Sequence, residues 1–132
     1  MRSKRRAVTI LEVMISAAML SALLGVCWQL TAAVGAANRA AAERQTAICE
    51  AANLMETIAT LPWDELTARR VGRLQLSEEA QLRLPGGELE IELTGPAGSP
   101  PAKRIVVSIR WQDRSDQLTR PVRLATWRYH GR

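Results

Sequence analysis

Between Glu12 and Arg39 the chain carries no formal charge: Val13 to Asn38 is apolar or neutral throughout. On its amino-terminal side stand four basic residues among the first six, Arg2, Lys4, Arg5 and Arg6. The apolar run starts at Ala7, and Glu12 is the one charge inside it. A helix needs roughly 20 mostly apolar residues to cross the hydrocarbon core of a bilayer. This stretch is long enough, and it holds an acid where a plain anchor would have none. An acid in the membrane is penalised by roughly 2.5–3.5 kcal/mol at the helix centre, so such residues are usually partnered.

Three explanations compete. A secretory signal peptide needs a basic flank, an apolar core and a small-residue cleavage site, which Ala33 to Ala37 could supply. The apolar run is too long for that, and Glu12 lies within it. A plain anchor oriented by its basic flank, with the amino terminus cytoplasmic, fits the charges but leaves Glu12 without a role. The third reading gives it one. A short basic leader, a small residue, then an apolar helix with Glu as its fifth member resembles a type IV prepilin signal, here MRSKRRA followed by VTILEVMISAAML.

The resemblance implies cleavage between Ala7 and Val8 by a membrane-bound prepilin peptidase, on the cytoplasmic side, and methylation of the new amino terminus. It implies that the apolar helix is retained, first as an inner-membrane anchor and then as the core of a filament. Glu12 matches the family's acid, which pairs with the amino terminus of a neighbouring subunit. Two residues depart from the usual pattern: Ala7 stands where Gly is common, and Val8 where Phe is common.

The helical pattern continues past the apolar run. Ala32 to Leu61 is rich in Ala, Glu, Arg, Leu and Met, and no proline occurs between Ala7 and Leu61. Ile48, Ala51, Met55 and Ile58 fall at helical spacing, with Leu54 and Leu61 beside them, and the charged residues, Glu50 among them, lie mostly off that stripe. One helix from about Val8 to Leu61 is expected, about 80 Å long at ~1.5 Å per residue. Gly25 and Gly35 are places where it could bend. Pro62 ends it, because proline disfavours helical geometry in the residue before it.

After a short connector, Trp63 to Arg70, the period changes. Leu82 and Leu84, then Leu89, Ile91 and Leu93, alternate with polar residues in the manner of half-buried strands around a turn at Pro85-Gly86-Gly87. Leu74 and Leu76 suggest an earlier short strand. Gly95 to Ala102 reads as an exposed loop, and Ile105 to Trp111 as a strand with Val107, Ile109 and Trp111 on one face. Gln112 to Thr119 is a polar turn before a last strand from Val122 to Tyr129. Three or four antiparallel strands with one apolar face are not stable alone. The stripe from Ile48 to Leu61 is their natural cover, and Trp111 and Trp127 are both expected in the interface.

The fold class expected is therefore α+β. The organisation is a leader at 1–7, a transmembrane and assembly half of the helix at 8–37, an exported half at 38–61, and a small antiparallel β domain at 62–132. A long helix packed on a small sheet is also what the pilin resemblance implies.

The remaining chemistry is sparse. The chain has 18 Lys and Arg against 13 Asp and Glu, but the leader holds four of those cations, and without them the balance falls to +1. No nucleic-acid motif accompanies the basic excess after Lys103. Cys27 and Cys49 are the only cysteines. On one helix their spacing puts them on the order of 33 Å apart, far beyond disulfide reach. Cys27 reads as a small apolar membrane residue and Cys49 as a packed helix residue. His130 has no Ser or Cys arrangement around it. Glu88, Glu90 and Glu92 alternate on one strand face, a solvated outer face rather than a Ca²⁺ site, which needs six to eight oxygens and a shaped loop. GGE and GPAGSPP lack the pattern of phosphate loops. Neither an enzyme, a cofactor nor a metal is expected.

Two further segments carry a looser resemblance. ICEAANLMETIATLPWDEL, with Ala51, Asn53 and Met55, and the ending VVSIRWQDRSDQLTRPVRLATWR are similar to pseudopilin I of type II secretion systems and to pilus-modification minor pilins. The expected function is a minor structural subunit of such a filament. Its partners would be the prepilin peptidase, other pseudopilins or pilins, the assembly platform and the inner membrane, with the carboxyl-terminal domain periplasmic. The alternative is a single-pass anchored binding module with an exported β domain.

Overall fold

A computed structural model describes residues 9–98 and 100–130. The element order is α1 (Ile10–Thr60), α2 (Ala68–Val71), α3 (Glu78–Arg83), β1 (Glu88–Ala97), β2 (Ala102–Arg110) and β3 (Val122–Tyr129). The class is α+β, with one long helix packed on a three-stranded antiparallel sheet of order β1-β2-β3. The chain divides after Ala40 into two units. In the first, the apolar side chains of α1, from Ile10 to Val34, are all exposed. The second unit contains the core.

That core is built on one face of the distal part of α1. Ala47, Ala51, Leu54 and Ile58 are buried, together with Leu66, Val71, Leu76, Ala80, Leu84, Ile105, Val107, Ile109, Trp111 and Val122. The buried stripe is rotated from the one expected. Ile48 is exposed, Met55 is half-buried, and Ala47 and Glu50 take the inner positions. Two alanines, Ala47 and Ala51, keep that face free of long apolar side chains. Cys49, expected to be packed, is exposed.

The sheet is a simple meander. Leu89 pairs with Ile109, Ile91 with Val107 and Leu93 with Ile105; on the other side Ile109 pairs with Val122, Val107 with Leu124 and Ile105 with Thr126. These rows form the inner face. Trp111 continues the inner series and is only 4% exposed. Trp127 is 54% exposed, contrary to expectation. Its partner is Arg104, so it belongs to the outer row with Arg104 over its ring at 5.9 Å. Strand alternation forces this: once Val122 and Leu124 point inward, Trp127 cannot.

Residues 74–84 also differ from expectation. Leu82 and Leu84 are not a strand, and Pro85-Gly86-Gly87 does not join two strands. Glu78–Arg83 is α3, begun by Ser77, whose hydroxyl accepts from the Ala80 amide at 3.2 Å. Leu76, Ala80 and Leu84 are buried and Leu82 is 86% exposed, a helical spacing of four rather than an alternation of two. Glu78 and Glu79 lie in the first turn, where an acid complements the helix dipole. Gly86 takes φ +59°, and a Cβ there would stand 2.7 Å from the Gln112 side chain. The loop expected at 95–102 is shorter than foreseen: β1 runs on to Ala97 through a bulge after Thr94, and β2 starts at Ala102.

Polar groups orient α1 on the sheet. Near its start in this unit, Glu43 accepts from the Trp111 indole at 3.1 Å. At its end, Arg128 donates to the carbonyls of Ala59 at 2.8 Å and Ile58 at 3.4 Å, supplying the cation that the last turn of α1 lacks. Lys103, the register partner of Arg128, donates to the carbonyls of Trp63 and Leu66, both at 2.9 Å, and sits 4.4 Å from the Trp63 ring. From Glu43 to Ala59 the helix rises about 24 Å. From Lys103 to Trp111 the strand rises about 26 Å. The two lengths match, so α1 runs opposite to β2 and is tied at both ends. Between them Glu50 is buried and accepts the amide of Ser77 at 2.6 Å and its hydroxyl at 2.9 Å. This carboxylate holds the residue that caps α3.

Two outcomes test this core. Ile58→Asp places an unpaired charge where the side chain is fully buried, at a cost of several kcal/mol. Near-UV circular dichroism of the full chain in detergent should show the tertiary signal melting far below wild type. Glu50→Ala leaves the Ser77 amide without its acceptor and should cost about 1–3 kcal/mol. In the same melt its transition should fall between those of wild type and Ile58→Asp.

Candidate functional site

Glu12 lies in the first turn of α1, two residues after the helix begins. Its amide donates to the carbonyl of Thr9 at 3.0 Å and to the Thr9 hydroxyl at 3.3 Å, while the Val13 amide shares the same carbonyl at 3.2 Å. Thr9 therefore occupies the capping position and Glu12 stands three residues on, the Thr-x-x-Glu spacing of a capping box. An acid here also faces the positive end of the helix dipole, worth about 0.3–1 kcal/mol at an exposed site. This local role is legible in the four residues Thr9-Ile10-Leu11-Glu12. Glu12 is exposed, with exposed Ile10, Leu11, Val13 and Met14 around it. Ala7 and Val8, the expected cleavage and methylation positions, lie outside the described residues.

Length and composition make α1 the one helix among the described residues capable of crossing a membrane. Its apolar side chains there have no protein cover: Leu20, Leu23, Leu24 and Val26 are each more than half exposed. A soluble core helix would bury such a face. Here the apolar surface runs around the whole circumference, which suits lipid or neighbouring helices.

The other candidate groups do not converge on a reaction centre. Glu88 pairs with Arg110 at 2.7 Å and Glu92 with Arg123 at 3.6 Å across the outer face of the sheet. Arg123 also donates to the buried Ser108 hydroxyl at 3.1 Å. Acid and base thus alternate across the strands. Among the described residues no three His, Cys, Asp or Glu side chains come together in a way that could hold a metal. His130 stacks edge-on against Trp63 with ring centres 4.9 Å apart, a packing contact. Cys27 and Cys49 are both free thiols. Cys49 accepts a long contact from the Gln45 amide at 3.5 Å.

Set against protein-family models, curated proteins and solved structures, the chain matches none of them. Inference about this site therefore rests on its residues and their geometry.

The capping geometry makes a separable prediction. Thr9→Ala removes the hydroxyl acceptor while leaving the charge of Glu12 in place. The first turn should fray, with faster amide exchange at Glu12 and a local loss of about 0.5–2 kcal/mol. Melting of the folded domain should be unchanged. Amide exchange followed by NMR in micelles reads both.

Proposed function

We propose that the chain is a minor pseudopilin or pilin, a structural subunit of a type II secretion or type IV pilus-like filament. It is made as a prepilin, cut between Ala7 and Val8 and methylated at Val8. It then resides in the inner membrane with a single span and a periplasmic domain, until it joins the filament. The observation that carries this reading is a basic leader in the sequence followed by one helix with an exposed apolar half, Glu12 as that half's only acid, and a distal half that is the seat of a small domain. Its role is assembly, not catalysis, and its partners are the prepilin peptidase, other pseudopilins or pilins and the assembly platform.

In the bilayer Glu12 stands close to the cytoplasmic headgroups and is tolerated. In a filament core water is scarce, and a carboxylate left without a cation costs several kcal/mol. The free amino group of a neighbouring subunit's Val8 meets that need and fixes the axial register between helices. The place of Glu12 in the first turn supports a second reading, an anchored binding module, since complementing the helix dipole gives it a purpose that needs no neighbour.

Two substitutions divide these readings. Glu12→Gln keeps a side chain suited to the capping position and removes the charge; Glu12→Leu removes both and makes the span more apolar. If charge pairing drives assembly, both variants are cleaved and inserted normally, and both lose partner subunits in crosslinking and co-purification. Normal partner recovery with both variants would favour the anchored module. Intact mass of the membrane-extracted protein tests processing: the expected product starts at Val8 and carries one methyl group, and a retained leader or a start after Ala37 overturns it.

A further inference from the structure

On the membrane half of α1, Trp28, Ala32, Gly35 and Arg39 follow one another at intervals of four, three and four residues, so they share one helical face. With Thr31 they line a concavity of about 170 Å³. Trp28 forms one end and is 78% exposed. Arg39 forms the other end. Its side chain folds back toward the helix start, with Nη2 3.9 Å from where a Cβ on Gly35 would stand. Long helical side chains lean in that direction, and the missing side chain at Gly35 leaves room for the guanidinium to lie along the helix. Among the described residues Arg39 is in no ion pair.

The depth of this face in a bilayer follows from helix geometry. From Ile10, where α1 begins, to Trp28 the helix measures about 27 Å at ~1.5 Å per residue, so a hydrocarbon core of roughly 30 Å counted from Ile10 ends at about Leu30. Tryptophan favours the boundary between hydrocarbon and headgroups, and Gln29 and Thr31 follow at once with polar side chains. The guanidinium lies near the level of Gly35, about 7 Å beyond Leu30, against a headgroup layer roughly 5–8 Å deep on each side. The face therefore crosses the headgroup layer with an aromatic ring at its inner edge and a cation at its outer edge. A planar guanidinium binds phosphate oxygens in pairs.

We propose that this face is a phospholipid-headgroup site, in which Trp28 stands at the hydrocarbon edge and Arg39 takes the phosphate of an anionic lipid in the periplasmic leaflet. The membrane span then ends at about Leu30, well before the first charge after the apolar run. The proposal rests on the reading of α1 as a membrane span and is independent of filament assembly.

The test uses the full chain in vesicles of phosphatidylcholine, with and without phosphatidylglycerol. Resistance to carbonate extraction comes first; a chain that extracts overturns the span and the headgroup site together. For depth, single cysteines replace Leu24 or Val34 in a Cys27→Ser, Cys49→Ser background and meet an impermeant maleimide on the periplasmic-domain side. Position 24 should be protected and position 34 labelled; protection at both overturns the depth while leaving the span intact. For the ligand, native mass spectrometry of detergent-released protein counts retained lipid. Wild type should keep phosphatidylglycerol over phosphatidylcholine. Arg39→Gln should lower that retention about fivefold, as expected for one basic group at an anionic surface, and Arg44→Gln should not. Equal retention of the two lipids, or no loss in Arg39→Gln, overturns the site.

Discussion

Everything in the folded domain depends on the contact between one face of α1 and the inner face of the sheet. A three-stranded meander of eight to ten residues per strand has one apolar face and no second layer of its own. Ala47, Ala51, Leu54 and Ile58 provide that layer, and α2, α3 and the connector close its sides through Val71, Ala80, Leu84 and Leu66. Deleting a buried Leu or Ile side chain from such a core typically costs about 2–5 kcal/mol. A small domain has little stability in reserve, so the helix is structurally indispensable to the sheet it carries.

Apolar burial does not by itself fix direction or register. The polar ties do. Glu43 holds the Trp111 indole, Glu50 holds Ser77, and Arg128 and Lys103 take carbonyls at and just beyond the end of α1. Reversing the helix would set its carbonyl end against Trp111 and its carboxylates out of reach of their donors. A one-turn slip along the axis would break all of these contacts together. Each is a charge-assisted hydrogen bond, stronger than a neutral one, and no buried side-chain nitrogen or oxygen among the described residues lacks a partner. Specificity of docking thus resides in a few long side chains, and the energy of docking in small apolar ones.

The first half of the same helix has no protein cover. It is apolar around its whole circumference, with its only acid in the opening turn and an aromatic at the far end. An acid in the first turn and a carbonyl end neutralised by Arg128 both complement the macrodipole of a single unbroken helix. Long helices of this kind let one element serve as span and as scaffold, since no loop has to leave backbone groups unpaired inside lipid.

The α+β class, the single long helix and its end at Pro62, the central and last strands and the apolar run were all legible in the sequence. Each is set by local, one-dimensional rules: charge exclusion over 26 residues from Val13 to Asn38, the absence of proline, β-branched runs, and the period of apolar positions. The Thr9 cap one position before α1, with an acid three residues on, is equally legible there. Tertiary structure alone decided which face of α1 turns inward, why Glu50 is buried, and that 78–83 is helix. A stripe of alanines gives a weak hydrophobic signal, yet it marks the face from which Glu50 reaches Ser77. The segment around Leu82 satisfies two periods at once, and the helical one goes with Ser77, the capping residue of α3, held by Glu50 from 27 positions earlier. Trp127 turned outward for the same kind of reason: the phase of a strand is a property of the sheet it joins, fixed by the pairing of Val122 with Ile109 and not by the strand's own residues.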